Sequence, residues 1–301
     1  MKTIETARKE QSEQQSLGTE RNGSQSMNIK GAVAVITGAA GGIGRALALE
    51  MTKRHVTGLA LVDHSETVQQ VAKAVNDYAG RTLAFGYSGD VTQDSFRQRV
   101  YKEMAEQHGP VNICVPAAGI TRDDLAVRID RETGDARIYP TDQFKRVIDV
   151  NLLSVARSNA VFLPLLLAEG RGHVVNTASA SVLLAYGFDR LPYVASKHAV
   201  VGVSEALAIY LGRWGIGVTC VCPSGVITNI VEQIAVYGAS AMPRAPQHPL
   251  VEPELVGELV VDAIASGIFL VVTAPEIHDE LRERAADIEV YIQRMIKEQV
   301  A

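Results

Sequence analysis

Apolar residues in this chain follow two alternating rhythms: short, nearly unbroken runs, and longer stretches with an apolar side chain every three or four positions. Runs at 31–37, 58–62, 81–87, 111–115, 173–179, 217–222 and 269–272, bounded by Gly, Pro, Asn or Asp, predict buried strands. Between them, 45–53, 68–78, 89–108, 142–167, 193–213 and 254–265 carry helical spacing. Strand and helix taking turns predict a parallel sheet covered on both faces, because parallel neighbours need a crossover long enough to hold a helix. Pro164 falls inside the fourth helical stretch and should bend or end it.

The ends of the chain depart from this alternation. Residues 1–28 are polar and charged, too poor in large apolar side chains to offset the entropy of ordering, and read as a disordered tail. That tail lacks the apolar stretch of a secretion signal, and Glu5, Glu10, Glu13 and Glu20 argue against a transit peptide. Residues 29–275 read as one domain without internal repeats. In 276–301, Ile277, Leu281, Ala285, Ile288, Ile292 and Ile296 recur at steps of three and four, predicting one amphipathic helix packed on its own core or on a neighbouring subunit. Two interruptions remain. The charges between Asp130 and Asp135 suggest an exposed hairpin or loop, and 229–250 is long for a plain connection, as lids and binding elements are.

Composition narrows the class. With 301 residues, 47% of them hydrophobic and 21% charged, the chain can bury a substantial core. A formal charge of -5 offers no basic patch, so nucleic acid is not expected as a partner. No uninterrupted apolar run approaches the ~18 residues of a bilayer span, so no membrane is expected either. Cys114, Cys220 and Cys222 lie in hydrophobic segments without metal spacing, which suits buried thiols in a reducing cytoplasm. His55 and His173 likewise lack a metal-binding pattern.

Candidate chemistry begins at the first strand, which runs straight into Gly38-Ala39-Ala40-Gly41-Gly42-Ile43-Gly44 and then a helix. Glycines let a backbone approach a pyrophosphate closely, and the free N–H groups and dipole of the helix start favour its charge. Asp63 ends the second strand 19 positions after Gly44. That is close to the ~20 expected of an acid binding the adenosine ribose hydroxyls, and its charge would repel a 2′-phosphate, favouring NAD over NADP. The competing reading of Asp63 is an N-cap for a helix starting near Glu66.

In Tyr193-Val194-Ala195-Ser196-Lys197 the first and last side chains share one helical face. A lysine charge one turn away stabilises a phenolate that would otherwise form only near pH ~10, which makes Tyr193 a candidate general acid and base. The bland alternative is a Tyr–Lys pair on a surface helix.

Taken together, Thr37-Gly38-x-x-x-Gly42-Ile43-Gly44, Asp90-Val91, Asn151, Ser179, Tyr193-x-x-x-Lys197 and the turn from Pro223 to Thr228 stand in the order of the classical short-chain dehydrogenases/reductases. From about Lys30 to Val272 the chain resembles that family. The resemblance implies an α/β fold: a single Rossmann-type doubly wound domain with a seven-stranded parallel sheet flanked by helices. It also implies a bound nicotinamide dinucleotide and the interconversion of a secondary alcohol and a ketone. By the same resemblance, Tyr193 is the acid/base and Lys197 lowers its pKa and binds the nicotinamide ribose. Ser179 holds the substrate oxygen, and Asn151 holds a water that links Lys197 to solvent. Gly38, Gly42, Ile43 and Gly44 line the pyrophosphate, Asp90 and Val91 meet the adenine, and Thr228 meets the nicotinamide carboxamide. Ala118 and Gly119, after the fourth strand, and Tyr193 itself complete the cofactor set.

The chain departs from the family pattern in three places. Pro116 and Ala117 stand where two asparagines are usual. Ser179 precedes Tyr193 by 14 positions, one more than usual, which leaves Ser181 in competition. The stretch from Asp130 to Pro140 and the helix after Glu276 are additions. The expected activity is an NAD-dependent oxidoreductase acting on a hydrophobic or cyclic substrate held by Leu183, Leu184, Phe188 and the 226–242 segment. Its alternatives are an NADP-dependent carbonyl reductase of the 3-oxoacyl type, or a dinucleotide-binding scaffold without turnover. The resemblance also implies a homodimer or homotetramer built on the helices carrying Asn151 and Tyr193.

Overall fold

The computed structural model describes residues 25–123, 127–129, 133–138, 140–184, 186, 190–228, 235–236 and 248–300. Strands β1 (Val33–Thr37), β2 (Gly58–Asp63), β3 (Ala84–Ser88), β4 (Ile113–Pro116), β5 (His173–Thr177), β6 (Gly217–Cys222) and β7 (Leu270–Val272) form one sheet in the order β7-β6-β5-β4-β1-β2-β3. Every pairing in it is parallel. Helices α1 (Gly42–Lys53), α2 (Val68–Ala79), α3 (Asp94–His108), α4 (Thr141–Glu169), α5 (Leu191–Gly212) and α6 (Pro253–Ser266) make the crossovers.

Alternation along a strand sends successive side chains to opposite faces. From β1 and β2, Ala34, Ile36, Leu59 and Leu61 pack with Leu47 and Met51 of α1, Val71 and Val75 of α2, and Leu259 and Ile264 of α6. Val33, Val35, Ala60 and Val62 face the other way, onto Tyr101 and Met104 of α3, Phe162 and Leu166 of α4, and Leu211 of α5. This is the doubly wound Rossmann arrangement. The chain leaves β1 in one direction and reaches β4 from the other, which opens a crevice at the carboxyl ends of those two strands.

Several local expectations are corrected. The N-terminal tail does not extend to 28: Met27 is buried, and its N–H donates to Ile264 O at 3.1 Å. Met27 and Ile29 give the chain entry enough apolar surface to dock under α6. α4 runs through Pro164 to Glu169, held by buried Phe162 and Leu166 on either side. Both α4 and α5 are long and apolar enough to cross a membrane by length and composition. Counting uninterrupted apolar residues missed them because charges such as Asp149, Arg157 and Lys197 break the runs; here they pack on the sheet.

The charged stretch is flanked by an antiparallel pairing of Val127–Ile129 with Ala136–Ile138, as a hairpin requires, while residues 130–132 lie outside the described residues. The C-terminal stretch is two helices, α7 (Glu276–Ala286) and α8 (Ile288–Val300). Asp287 is extended, and its carboxylate accepts the N–H groups of Glu289 and Val290, both at 3.0 Å, which starts a new helix. The break resets the stripe: Ile277, Tyr291 and Met295 are buried, whereas Ile288, Ile292 and Ile296 are exposed. Phe188, residues 1–24 and 237–247 lie outside the described residues.

His173 in β5 is fully buried. The Thr219 hydroxyl donates to Ile268 O at 2.7 Å, so His173 Nε2, 2.8 Å from that oxygen, is the donor and carries the proton. Nδ1 is bare and without a partner. Burial alone pushes the imidazole down to about 3. The folded state therefore binds fewer protons than the unfolded state below pH ~6.5, and stability falls as pH drops. Between pH 7 and pH 5 this group should cost about 2 kcal/mol. Urea midpoints at the two pH values check it: His173→Gln, which keeps a donor near Nε2, should lose less stability over that interval than wild type. An identical loss in both would refute it.

Candidate active site

The crevice begins at the glycine turn. Gly38 has φ +72°, and a Cβ there would lie 3.1 Å from Ala117 O and Ala118 N; one on Gly44 would lie 2.3 Å from Gly38 O. The turn thus closes on itself and on the loop after β4. Gly41, the extended residue before α1, has no side-chain cap, and a Cβ on it would meet nothing within 4 Å. The first N–H groups of α1 have no intrahelical acceptors and adjoin this open side, a cradle that fits an anion such as a pyrophosphate. Ile43 packs against the core at the start of α1. Thr228 leans in from beyond β6, its Cγ2 2.8 Å from where a Gly42 Cβ would be.

Asp63 is not a helix cap: α2 starts at Val68, with Thr67 before it. Its Oδ2 accepts the Ala40 N–H and its Oδ1 the Ser65 N–H, each at 3.0 Å. It is therefore lashed to the glycine turn, and a carboxylate has lone pairs to spare for hydroxyl donors. Asp90 folds back on Thr92 N–H at 2.8 Å. Burial raises its pKa, but the Thr92 hydrogen bonds and the Arg146 charge outweigh that and leave it below the usual carboxylate value. Val91 beside it is buried in the core. With Pro116 ending β4 and Ala117 following it, the loop is braced from β1: Thr37 Oγ1 accepts the Ala118 N–H at 3.0 Å.

Asn151 sits in a π-helical turn of α4, Asp149–Leu153. Wider turns of this kind recur at functional sites. Its Oδ1 accepts Ile120 N–H at 2.8 Å, and its Nδ2 donates to Ile120 O at 2.9 Å and to Ser196 Oγ at 3.2 Å. Ser196 in turn donates to Tyr193 O at 2.7 Å. Lys197 is buried and donates to Thr177 O at 2.7 Å. A Cβ on Gly119 would be 3.5 Å from both Asn151 Oδ1 and Lys197 Nζ, so the three meet at one point.

Burial brings the Lys197 ammonium down to about 8, with Cys222 and Cys220 pulling the other way. Its Nζ is 5.9 Å from the Tyr193 ring centre, and the Arg190 guanidinium is 6.0 Å from the same ring. Tyr193 itself is half-buried. Ser179 caps the short helix Ala180–Leu183; its Oγ accepts Ser181 N–H at 3.3 Å and lies 2.9 Å from Ser181 Oγ. The two candidate serines are thus joined by one hydrogen bond. Cys220 and Cys222 are buried with sulfurs 3.8 Å apart, as two residues on one strand face.

Thr37, Gly38, Gly44, Ala118, Gly119, Asn151 and Lys197 are therefore linked by contacts around the carboxyl ends of β1 and β4. Arg190 and Ser196 escaped the sequence reading, although each lies three positions from Tyr193 and so within a helical turn of it. The arrangement offers an open helix start at the glycine turn and a tyrosine ring with two cations nearby.

Residues 32–236 match the family described as short chain dehydrogenase. Zerumbone synthase of Zingiber zerumbet is 32% identical over 77% of this chain and 79% of its own length. A 3-oxoacyl-[acyl-carrier-protein] reductase of Thermotoga maritima is 30% identical over 78% of this chain and 91% of its own. A short-chain dehydrogenase/reductase of Burkholderia phymatum, solved in complex with NAD, superposes with a TM-score of 0.73 at 28% identity, covering 88% of this chain and 96% of that one. The chain belongs to the short-chain dehydrogenase/reductase family and is an NAD(P)-dependent oxidoreductase of CH–OH and carbonyl groups.

Proposed function

We propose that this enzyme is an NAD-dependent dehydrogenase of secondary alcohols that also reduces the corresponding ketones. The observation that carries the cofactor choice is Asp63, whose carboxylate is tied to the middle of the glycine turn at Ala40 N–H. A 2′-phosphate brought there would face a fixed negative charge; ribose hydroxyls would meet an acceptor. A bound nicotinamide dinucleotide supplies the hydride acceptor or donor. In oxidation, Tyr193 takes the hydroxyl proton; in reduction it returns one. Lys197, its Nζ 5.9 Å from the Tyr193 ring centre, stabilises the phenolate, and the linked Ser179 and Ser181 hydroxyls steady the substrate oxygen.

From Ser179 the chain continues into Val182, Leu183 and Leu184, all buried, an apolar wall that favours a hydrophobic alcohol or ketone. Similarity to the Thermotoga 3-oxoacyl reductase favours a second reading, in which reduction of an acyl-type ketone is the working direction. Self-association on α4 and α5 is supported by Leu165, Ile209 and Tyr210, which leave apolar side chains on their outer faces.

Fluorescence titration with NADH and NADPH, followed by turnover of an alcohol panel, tests the reading. Wild type should prefer NADH by at least roughly tenfold, the worth of one mismatched charge contact. In Asp63→Ser the KM for NAD should rise by a similar factor and the discrimination against NADP should collapse. Equal use of both cofactors by wild type would overturn the NAD assignment.

A further inference from the structure

The C-terminal helix pair takes hold of the segment that follows Ser179. Arg284 donates to Leu183 O at 2.6 Å and the Tyr291 hydroxyl to Leu184 O at 2.7 Å. Two residues on, the Tyr186 hydroxyl donates to Glu280 Oε2. The other Glu280 oxygen is 3.6 Å from Nε2 of His248, and the His248 ring lies 5.9 Å from the Tyr186 ring. Three separate stretches of chain therefore converge on one carboxylate: the wall beyond the reactive serine, α7, and the stretch leading into α6.

The apolar contacts run the same way, since Ile277 and Leu281 of α7 pack with Ala178, Ala180, Leu183, Leu184 and Tyr186. Glu280 is 24% exposed and His248 only 10%, whereas the next acid of α7, Asp279, is 82% exposed and pairs with Arg282. Drawing a carboxylate out of water is costly unless donors replace the lost hydration, and the Tyr186 hydroxyl supplies one, while His248 Nε2 at 3.6 Å stays outside hydrogen-bond reach.

We propose that Glu280 is a positioning residue for the substrate: it anchors the Tyr186 hydroxyl, with His248 packed beside the same ring, and so fixes the wall against which the substrate's non-reacting, apolar portion lies. The proposal rests on the reading of Ser179 and Tyr193 as the reacting centre. A displaced wall would weaken the grip on that portion while leaving the dinucleotide site and the proton path in place.

The test compares wild type with Glu280→Leu, Tyr186→Phe and Glu280→Gln, using the best alcohol from the panel. In the first two, substrate KM should rise roughly tenfold, the worth of one buried hydrogen bond, with kcat and the KM for NAD within about threefold of wild type. Glu280→Gln keeps an acceptor for Tyr186 and should recover most of the loss. Amide hydrogen exchange in 182–186 should quicken in Glu280→Leu, while exchange in β5 and β6 stays as in wild type. Unchanged exchange with an active wild type overturns the role of Glu280 alone. So does a proportional fall in kcat and cofactor affinity, which would mark a general loss of structure. A wild type that binds NADH yet turns over no alcohol or ketone overturns the reading of the site, and the substrate role of Glu280 with it.

Discussion

Tyr193→Phe should lower kcat/KM by roughly 10²–10⁴-fold, the range of a lost general acid or base, while NADH still binds with wild-type affinity within about threefold. Only a hydroxyl is removed. The ring keeps its contacts with the Lys197 ammonium at 5.9 Å and the Arg190 guanidinium at 6.0 Å. The split between lost turnover and retained binding separates a chemical role from a packing one. Steady-state rates and fluorescence titration on the same preparation measure it, and a Phe variant that turns over at the wild-type rate would remove Tyr193 from the mechanism.

Lys197→Met should abolish measurable turnover and at the same time make the chain harder to unfold at pH 7. Burial holds the Lys197 ammonium near 8, below its unfolded value of 10.5. Keeping it charged in the fold at pH 7 therefore costs about 3 kcal/mol. Methionine fills similar space without charge but gives up the hydrogen bond to Thr177 O, so a net gain of about 1–2 kcal/mol is expected.

The pH dependence has a definite sign. Between about 8 and 10.5 the folded wild type binds fewer protons than the unfolded chain, so its stability rises with pH across that window. The Met variant lacks that rise, and its advantage shrinks from pH 7 to pH 10. Denaturant titrations at both pH values read the difference. A variant less stable than wild type at pH 7 would show that the ammonium is a structural asset rather than a cost borne for chemistry.

How much of the site was legible in the sequence depended on distance along the chain. Gly38 to Gly44 could be read because a strand, a glycine turn and a helix follow one another directly, and the anion cradle is made by the same few residues. Tyr193 and Lys197 could be read because helical spacing alone puts four-apart side chains on one face. For Asp63 the spacing left two readings open, and the start of α2 at Val68, with Thr67 before it, removed the capping one. Ser179 and Ser181 stayed in competition for a physical reason: the turn after β5 brings their hydroxyls within 2.9 Å of each other.

The errors share another cause. The stripe after Glu276 is compatible with one helix or two, because periodicity does not register a single extended residue. Asp287 breaks it through a local cap that the apolar pattern cannot reveal. Met27 looked too isolated to matter until a partner on α6 was in place.

By itself the sequence determined the alternation of strands and helices, the glycine turn before the first helix and the phenol–ammonium pair, all set by backbone sterics and periodicity over a turn or two of chain. Only the tertiary structure decided that Asn151 clamps Ile120 from a π turn, that Lys197 is stripped of water, and that Glu280 reaches a tyrosine 94 positions away. Those outcomes depend on which surfaces are buried against each other. Burial is a property of the packed whole, and no stretch of residues carries it alone.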